Sequence, residues 1–206
     1  MLPPEVGTTN SPPSRLMRRV HQVLLIVTFL AFSWLAMMAV HELGHVIGAI
    51  CTGATVEKVV LHPLAISRTE VGNNRNPLVV IWSGPVIGSL LPLVMLFVFQ
   101  QAKWTCRPLA KFFAGFCLAT NGAYIGCGSI ERIGDAGDLL NHGSPTWTLW
   151  LFGVVTIPFG FWLWNGLGPS FGLGTAKGAV NRRLAYLSAG LLALTVLVEL
   201  CFSPSH

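Results

Sequence analysis

The residues best suited to chemistry lie close together in the stretch HELGH, residues 41–45. His41 and His45 are four positions apart, so on a helix their imidazoles lie on one face, about one turn apart, and can bind the same metal ion. Glu42 follows the first histidine, where its carboxylate can accept the proton of a water molecule that zinc has made acidic. The pattern therefore predicts a zinc hydrolase with Glu42 as the catalytic base.

The composition places this motif in a membrane protein. Of the 206 residues, 52% are hydrophobic and only 10% are charged, whereas soluble domains carry about 25% charged residues. The net charge of +5 comes from small basic groups between apolar runs, which is typical of membrane topology signals rather than of a nucleic-acid-binding face. Ionisable side chains within a span cost about 2.5–3.5 kcal/mol each and are usually functional. Three of them in HELGH therefore favour a bound divalent cation.

Five apolar runs are long enough to be transmembrane helices, since about 20 residues cross a bilayer. They cover about residues 20–51, 77–99, 109–126, 147–167 and 184–202. Between the first two runs, residues 55–76 are rich in β-branched residues and end in the turn-like GNNRNP, which predicts strands. We therefore predict an all-α polytopic membrane protein with about five transmembrane helices and a small membrane-associated β segment after the HELGH helix.

The chain is predicted to contain one membrane domain with a short tail. Residues 1–19 are predicted to be a flexible basic tail, residues 20–140 a zinc metalloprotease membrane core, and residues 141–206 additional transmembrane helices. Nine Lys and Arg residues fall on the side of the tail and four on the other side. The positive-inside rule then predicts an integral, multi-pass membrane protein with a cytoplasmic N-terminus.

A catalytic zinc site needs a third protein ligand and an open position for water. The densest polar cluster away from HELGH is the segment NGAYIGCGSIERIGDAGDLLNHG, where glycines interrupt the hydrophobic pattern. We predict an unwound stretch there, followed by a helix starting at GDAGDLL, which would present a carboxylate at membrane depth. Asp135 or Asp138 is the expected ligand. His62 and His142 are fallback ligands, and Glu131 would serve a zinc protease of another class.

These motifs resemble the site-2 protease type of intramembrane zinc metalloproteases. VHELGHVIGAICTGATVEKVVL, residues 40–61, is similar to that family's HExGH helix with its following glycine turn and strand. WSGPVIGSLLPL resembles the Gly-Pro motif of the family through Gly84 and Pro85. DAGDLL resembles its Asp-Gly-Gly motif, whose aspartate is the third zinc ligand. The resemblance covers about residues 20–140 and gives the ligand role to Asp135 rather than Asp138.

The chain departs from the family pattern at two positions. Ala136 replaces the first glycine of the aspartate motif, and Gly88 stands where an asparagine usually follows the Gly-Pro motif. The resemblance implies substrate-binding roles for Gly84 and Pro85, and Asn121 could supply an amide comparable to the missing one. These departures concern substrate handling more than metal binding.

What the resemblance implies is zinc-dependent hydrolysis of peptide bonds in or near transmembrane segments. The cofactor would be Zn²⁺, and the partners would be a membrane protein or peptide substrate and the lipid bilayer, without nucleic acid. Two other functions use the same residues: a catalytically silent metal-binding membrane regulator of the same fold, and a membrane-surface zinc metalloprotease of another class. The intact Glu42 favours the enzyme, whereas the missing asparagine is compatible with the silent regulator.

Overall fold

The computed structural model describes residues 14–202, which form six α-helices and one two-stranded sheet. The elements are, in chain order, α1 Arg15–Thr52, β1 Thr55–Val60, β2 Arg68–Gly72, α2 Pro77–Gln101, α3 Arg107–Glu131, α4 Gly134–Asn141, α5 Thr146–Trp164 and α6 Arg182–Phe202. Each of the five predicted apolar runs corresponds to one long helix. The predicted all-α fold class with a small β segment is confirmed.

Four of these helices are long and apolar enough to cross a membrane, namely α1, α2, α5 and α6. The helix α3 has 25 residues but contains more glycine than any of these four. It packs against α1, α2, α4 and α5, so much of its surface faces protein rather than lipid. That α3 is a fifth span stays a prediction.

The first helix is longer than a bilayer requires. Its 38 residues extend about 57 Å at 1.5 Å per residue, against a hydrocarbon core of about 30 Å. It begins at Arg15, where the Ser14 hydroxyl accepts a hydrogen bond from the Met17 N–H. It ends at Thr52, and the next residue, Gly53, has the left-handed conformation (φ 73°). Of the predicted flexible tail, residues 1–13 lie outside the described residues, and residues 15–19 are helical. HELGH therefore lies in the last turns of α1, far from its basic end.

The predicted strands are present as an antiparallel pair directly after α1. Thr55 pairs with Gly72 and Val60 with Arg68, with one irregularity in register between Val56 and Lys58. Val60 is buried, and both strands contact α1. The sheet is thereby held beside the end of α1 that carries HELGH.

The predicted helix starting at GDAGDLL is confirmed as α4, but the prediction of an unwound stretch across the glycines before it is wrong. The helix α3 continues to Glu131, and the chain leaves the helical path only at Arg132 and Ile133 before α4 begins. The glycines of this stretch serve close packing instead: a Cβ on Gly153 of α5 would lie 3.0 Å from the Gly122 carbonyl oxygen of α3. The packing of α3 against α5 compensates for the low helix propensity of glycine.

Candidate metal centre and active site

Three side chains converge where α1 meets α4. The Nε2 atoms of His41 and His45 lie 3.1 Å apart, and Asp135 Oδ2 lies 2.7 Å from the first and 3.1 Å from the second. Both histidines are buried. Within residues 14–202, these three form the single group of His, Cys, Asp and Glu residues with the spacing of metal ligands.

The remaining nitrogen of each imidazole is fixed by a hydrogen bond to an oxygen. His41 Nδ1 donates to Asn121 Oδ1 at 2.7 Å, and His45 Nδ1 donates to the Val80 carbonyl oxygen at 2.9 Å. Carbonyl oxygens only accept, so in the neutral imidazoles the proton lies on Nδ1 and the Nε2 lone pair points to the convergence point. Such partners orient metal-binding histidines in known sites.

This donor set fits a zinc ion. Two lone-pair nitrogens and one carboxylate oxygen face one another, an arrangement that is repulsive without a cation or proton among them. With zinc bonds of about 2.0–2.1 Å in tetrahedral geometry, ligand atoms lie roughly 3.3 Å apart, close to the observed separations. Three protein ligands also leave one position open, as a catalytic rather than a structural zinc site requires.

The carboxylate of Glu42 is held beside this cluster by the sheet. Its Oε2 atom accepts a hydrogen bond of 2.6 Å from the Thr69 hydroxyl of β2, and Glu42 is only 6% exposed. Because one oxygen is held by Thr69, the side chain has a defined orientation and the second oxygen is available as a proton acceptor. The arrangement suits a general base.

Two glycines let α2 approach the histidines closely. A Cβ on Gly44 would clash with the Ser83 carbonyl oxygen and lie 2.8 Å from the Cα of Gly84, and a Cβ on Gly84 would clash with the His45 ring. Pro85 is buried within the same turn of α2. The structure therefore places Gly84 against the imidazoles. Substrate binding by Gly84 and Pro85 stays a prediction.

The amide of Asn121 lies next to Gly88, the residue that stands where the family usually has an asparagine. A Cβ on Gly88 would be 3.0 Å from Asn121 Nδ2, so the small residue in α2 makes room for the amide from α3. Asn121 is 1% exposed, and its Nδ2 donates to the Cys117 carbonyl oxygen. In this position the Asn121 oxygen holds the His41 imidazole. Substrate binding by Asn121 stays a prediction.

The remaining ligand candidates lie outside the cluster. Asp138 is exposed at the rim of the site. The Nδ1 of His62 accepts from the Leu64 N–H in the connection between the strands, and the Nδ1 of His142 bonds to the Asp138 carbonyl oxygen. Glu131 is exposed at the end of α3. Among these candidates, the geometry favours Asp135.

The cluster opens into a cleft of about 800 Å³ that is mainly apolar. Its walls come from α1, α2, α3 and α4, and from β2 and the residues beside it. Residues of β1 do not line it, so β2 is the strand nearest a bound molecule. The volume is large enough for several residues of an extended peptide.

Sequence reasoning missed three residues of this site. Tyr124 accepts a hydrogen bond from the Asp135 N–H at 3.1 Å, Thr69 binds Glu42, and Val80 fixes His45. Tyr124 lies one turn after Asn121 on α3, so helical periodicity could have found it. Thr69 and Val80 depend on contacts between separate elements, which no local pattern reveals.

Comparison with known protein families agrees with this geometry. A family model described as Peptidase M50B-like matches residues 17–124, slightly more than half of the chain. The chain belongs to this family. Peptidase M50B-like proteins are metalloproteases of the site-2 protease type, and the match includes HELGH, Gly84 and Asn121 but ends before Asp135. Comparison with curated proteins and with solved structures gives no significant match.

Proposed function

We propose that this Peptidase M50B-like protein is a zinc-dependent endopeptidase that hydrolyses peptide bonds in or near transmembrane segments of membrane proteins. One observation carries the proposal: the convergence of buried His41 and His45 with half-buried Asp135, beside Glu42, within a bundle of membrane-length helices. A site built only to bind metal has no need of a carboxylate held next to the ligands. The ordered Glu42 therefore favours an enzyme over a catalytically silent regulator.

The proposed reaction follows from the positions of these groups. Glu42 accepts a proton from water while the water oxygen bonds to the carbonyl carbon of the scissile peptide, and it then delivers that proton to the amide nitrogen as the C–N bond breaks. Zinc held by His41, His45 and Asp135 would polarise the carbonyl and lower the pKa of water to about 7. Thr69 keeps Glu42 in place through both proton transfers.

The environment of the cleft supports a membrane substrate. Four helices have the length and composition of membrane spans, and the cleft walls are mainly apolar. A hydrophobic segment from another membrane protein could enter the cleft from the bilayer. Where its helix unwinds, the polar groups at the cluster would form hydrogen bonds with the exposed peptide backbone. We propose the bilayer and a membrane protein or peptide as partners, with a cytoplasmic N-terminus.

Asn121→Ala is expected to weaken zinc binding about 10–100-fold, the usual cost of removing the outer partner of a ligating histidine. The variant loses the oxygen that holds the Nδ1 proton of His41, so the imidazole is free to rotate. The measurement is competition for zinc against a chromophoric chelator in detergent. Asn165→Ala, at the end of α5, is the matched control with unchanged affinity. An unaltered zinc affinity in Asn121→Ala would show that Asn121 does not orient His41 for zinc binding.

The proposed function is tested in proteoliposomes that contain the purified full chain. A panel of single-span proteins, with glycine- and proline-containing transmembrane segments and a fluorescent tag, serves as substrate. We expect cleavage that stops on zinc removal by a chelator and returns on zinc addition, with mass spectrometry placing the cut in or near the span. Zinc binding with no cleavage of any panel member would support the silent regulator instead. Cuts confined to soluble loops would support a surface metalloprotease.

A further inference from the structure

We propose that Tyr124 is a second catalytic residue, whose phenol O–H donates a hydrogen bond to the carbonyl oxygen of the scissile peptide as negative charge develops on it. This inference rests on the proposed function and adds a group to that site. It includes no proton transfer, because the phenol keeps its proton throughout. Tyr124 lies on α3 in the wall of the cleft that contains Glu42 and the three clustered side chains.

A donor at this position would add to the polarisation of the carbonyl that zinc would supply. The attack of water on a peptide carbonyl makes a tetrahedral species with an anionic oxygen, and a fixed donor to that oxygen accelerates acyl transfer by about 10²–10³-fold. Asn121 is the donor that the family resemblance suggested. It is almost fully buried, its oxygen accepts from His41, and its nitrogen donates to the Cys117 carbonyl. Both polar atoms of the Asn121 amide are therefore used in hydrogen bonds within the protein.

The position of Tyr124 is set by two contacts with the cluster. Its ring packs edge to face against the His41 imidazole, with centroids 5.7 Å apart and planes at 74°. Its oxygen accepts from the Asp135 N–H at 3.1 Å. A phenol that already accepts one hydrogen bond has its own proton left to donate. Within the described residues, the hydroxyl of Tyr124 has no protein acceptor.

The glycine before Asp135 makes this arrangement possible. Gly134 has a φ of +51°, and a Cβ there would clash with the Tyr124 hydroxyl. Only glycine both adopts this backbone conformation at low cost and leaves room for the oxygen. The backbone at the start of α4 therefore leaves room for the Tyr124 hydroxyl and also positions the Asp135 carboxylate.

Two other hydroxyls that line the cleft are used in hydrogen bonds elsewhere. Thr69 donates to Glu42, and Thr120 donates to the Phe116 carbonyl oxygen in its own helix. Ser67 also lines the cleft, and its buried hydroxyl has no hydrogen-bond partner in residues 14–202, so no contact positions it toward the cluster. Of the cleft hydroxyls, Tyr124 is the one bonded to a residue of that cluster.

The test is Tyr124→Phe, with Tyr186→Phe as the matched control. The sequence contains two tyrosines, and Tyr186 bonds His21 near the basic end of α1. In the proteoliposome assay we expect kcat to fall about 10²-fold in Tyr124→Phe, with little change in KM. Tyr186→Phe should cleave as the parent protein does.

Two further readouts separate a catalytic role from a structural one. Zinc affinity and the visible absorption of the cobalt-substituted protein should be unchanged in Tyr124→Phe, because the ligands remain. The affinity for an Ala-Leu phosphinic pseudodipeptide, whose phosphinate oxygens mimic the anionic oxygen, should fall with kcat. Unchanged kcat would overturn the proposal, and so would a loss explained by weaker zinc binding or an altered cobalt spectrum. If the parent protein cleaves no substrate but Tyr124→Phe still weakens pseudodipeptide binding, the proposed function fails and the donor assignment stands.

Discussion

Glu42→Gln is expected to lower the rate of peptide cleavage by about 10²–10⁴-fold, the usual contribution of a general base, while zinc stays bound. Glutamine keeps the shape of glutamate and an oxygen that can accept from the Thr69 hydroxyl. It has no basic oxygen to accept a proton from water. The ligand cluster does not include Glu42, so the zinc content of the purified variant should equal that of the parent protein.

The matched control is Glu131→Gln, which makes the same chemical change at the exposed end of α3. We expect this variant to keep both zinc and activity. Loss of zinc in Glu131→Gln would point to the other class of metalloprotease, with a glutamate ligand. Parent-level cleavage by Glu42→Gln, with zinc still bound, would show that Glu42 is not the base.

Asp135→Ala is expected to remove stable zinc binding, and all cleavage with it. The variant leaves two imidazoles where a catalytic zinc site needs three protein ligands. The loss of affinity should exceed the roughly 10–100-fold loss expected for an outer partner such as Asn121. The measurement is the metal-to-protein ratio after dialysis, with zinc affinity from chelator competition.

Asp138→Ala supplies the comparison, because it removes a carboxylate from the same short helix. Asp138 is exposed, and its carboxylate is not part of the cluster. This variant should retain zinc at the parent level and most of its activity. If Asp138→Ala loses zinc and Asp135→Ala does not, the ligand assignment is reversed. Because both changes are in α4, a general disturbance of that helix would affect the two variants alike.

Local features of the sequence are enough to predict the helices and the part of the site that HELGH contributes. HELGH fixes two imidazoles one turn apart, because any α-helix places residues i and i+4 on the same face. The apolar runs predicted the long helices, and the β-branched segment predicted the strand pair. The absence of charged residues from most of the chain indicated the membrane, since lipid does not solvate them.

The same reasoning failed where glycine has two physical uses. Taken locally, the glycines of residues 121–128 predict a helix break, but in α3 Gly122 and Gly126 form a contact surface for α5. Glycine permits both unwinding and close helix packing. Only the neighbouring helix decides between them, and its position is not a local property of the sequence.

By itself, then, the sequence determined that two histidines share one helical face, with a glutamate next to them in the chain, in a membrane protein, because helical periodicity and hydropathy are local. The tertiary structure alone brought Asp135 to His41, 94 positions away, and placed Thr69 on Glu42 and Asn121 behind His41. It also turned Tyr124 toward the cluster. These contacts follow from how α3, α4 and β2 pack around the end of α1, where burial and the close approach allowed by Gly84 and Gly88 determine which polar groups meet.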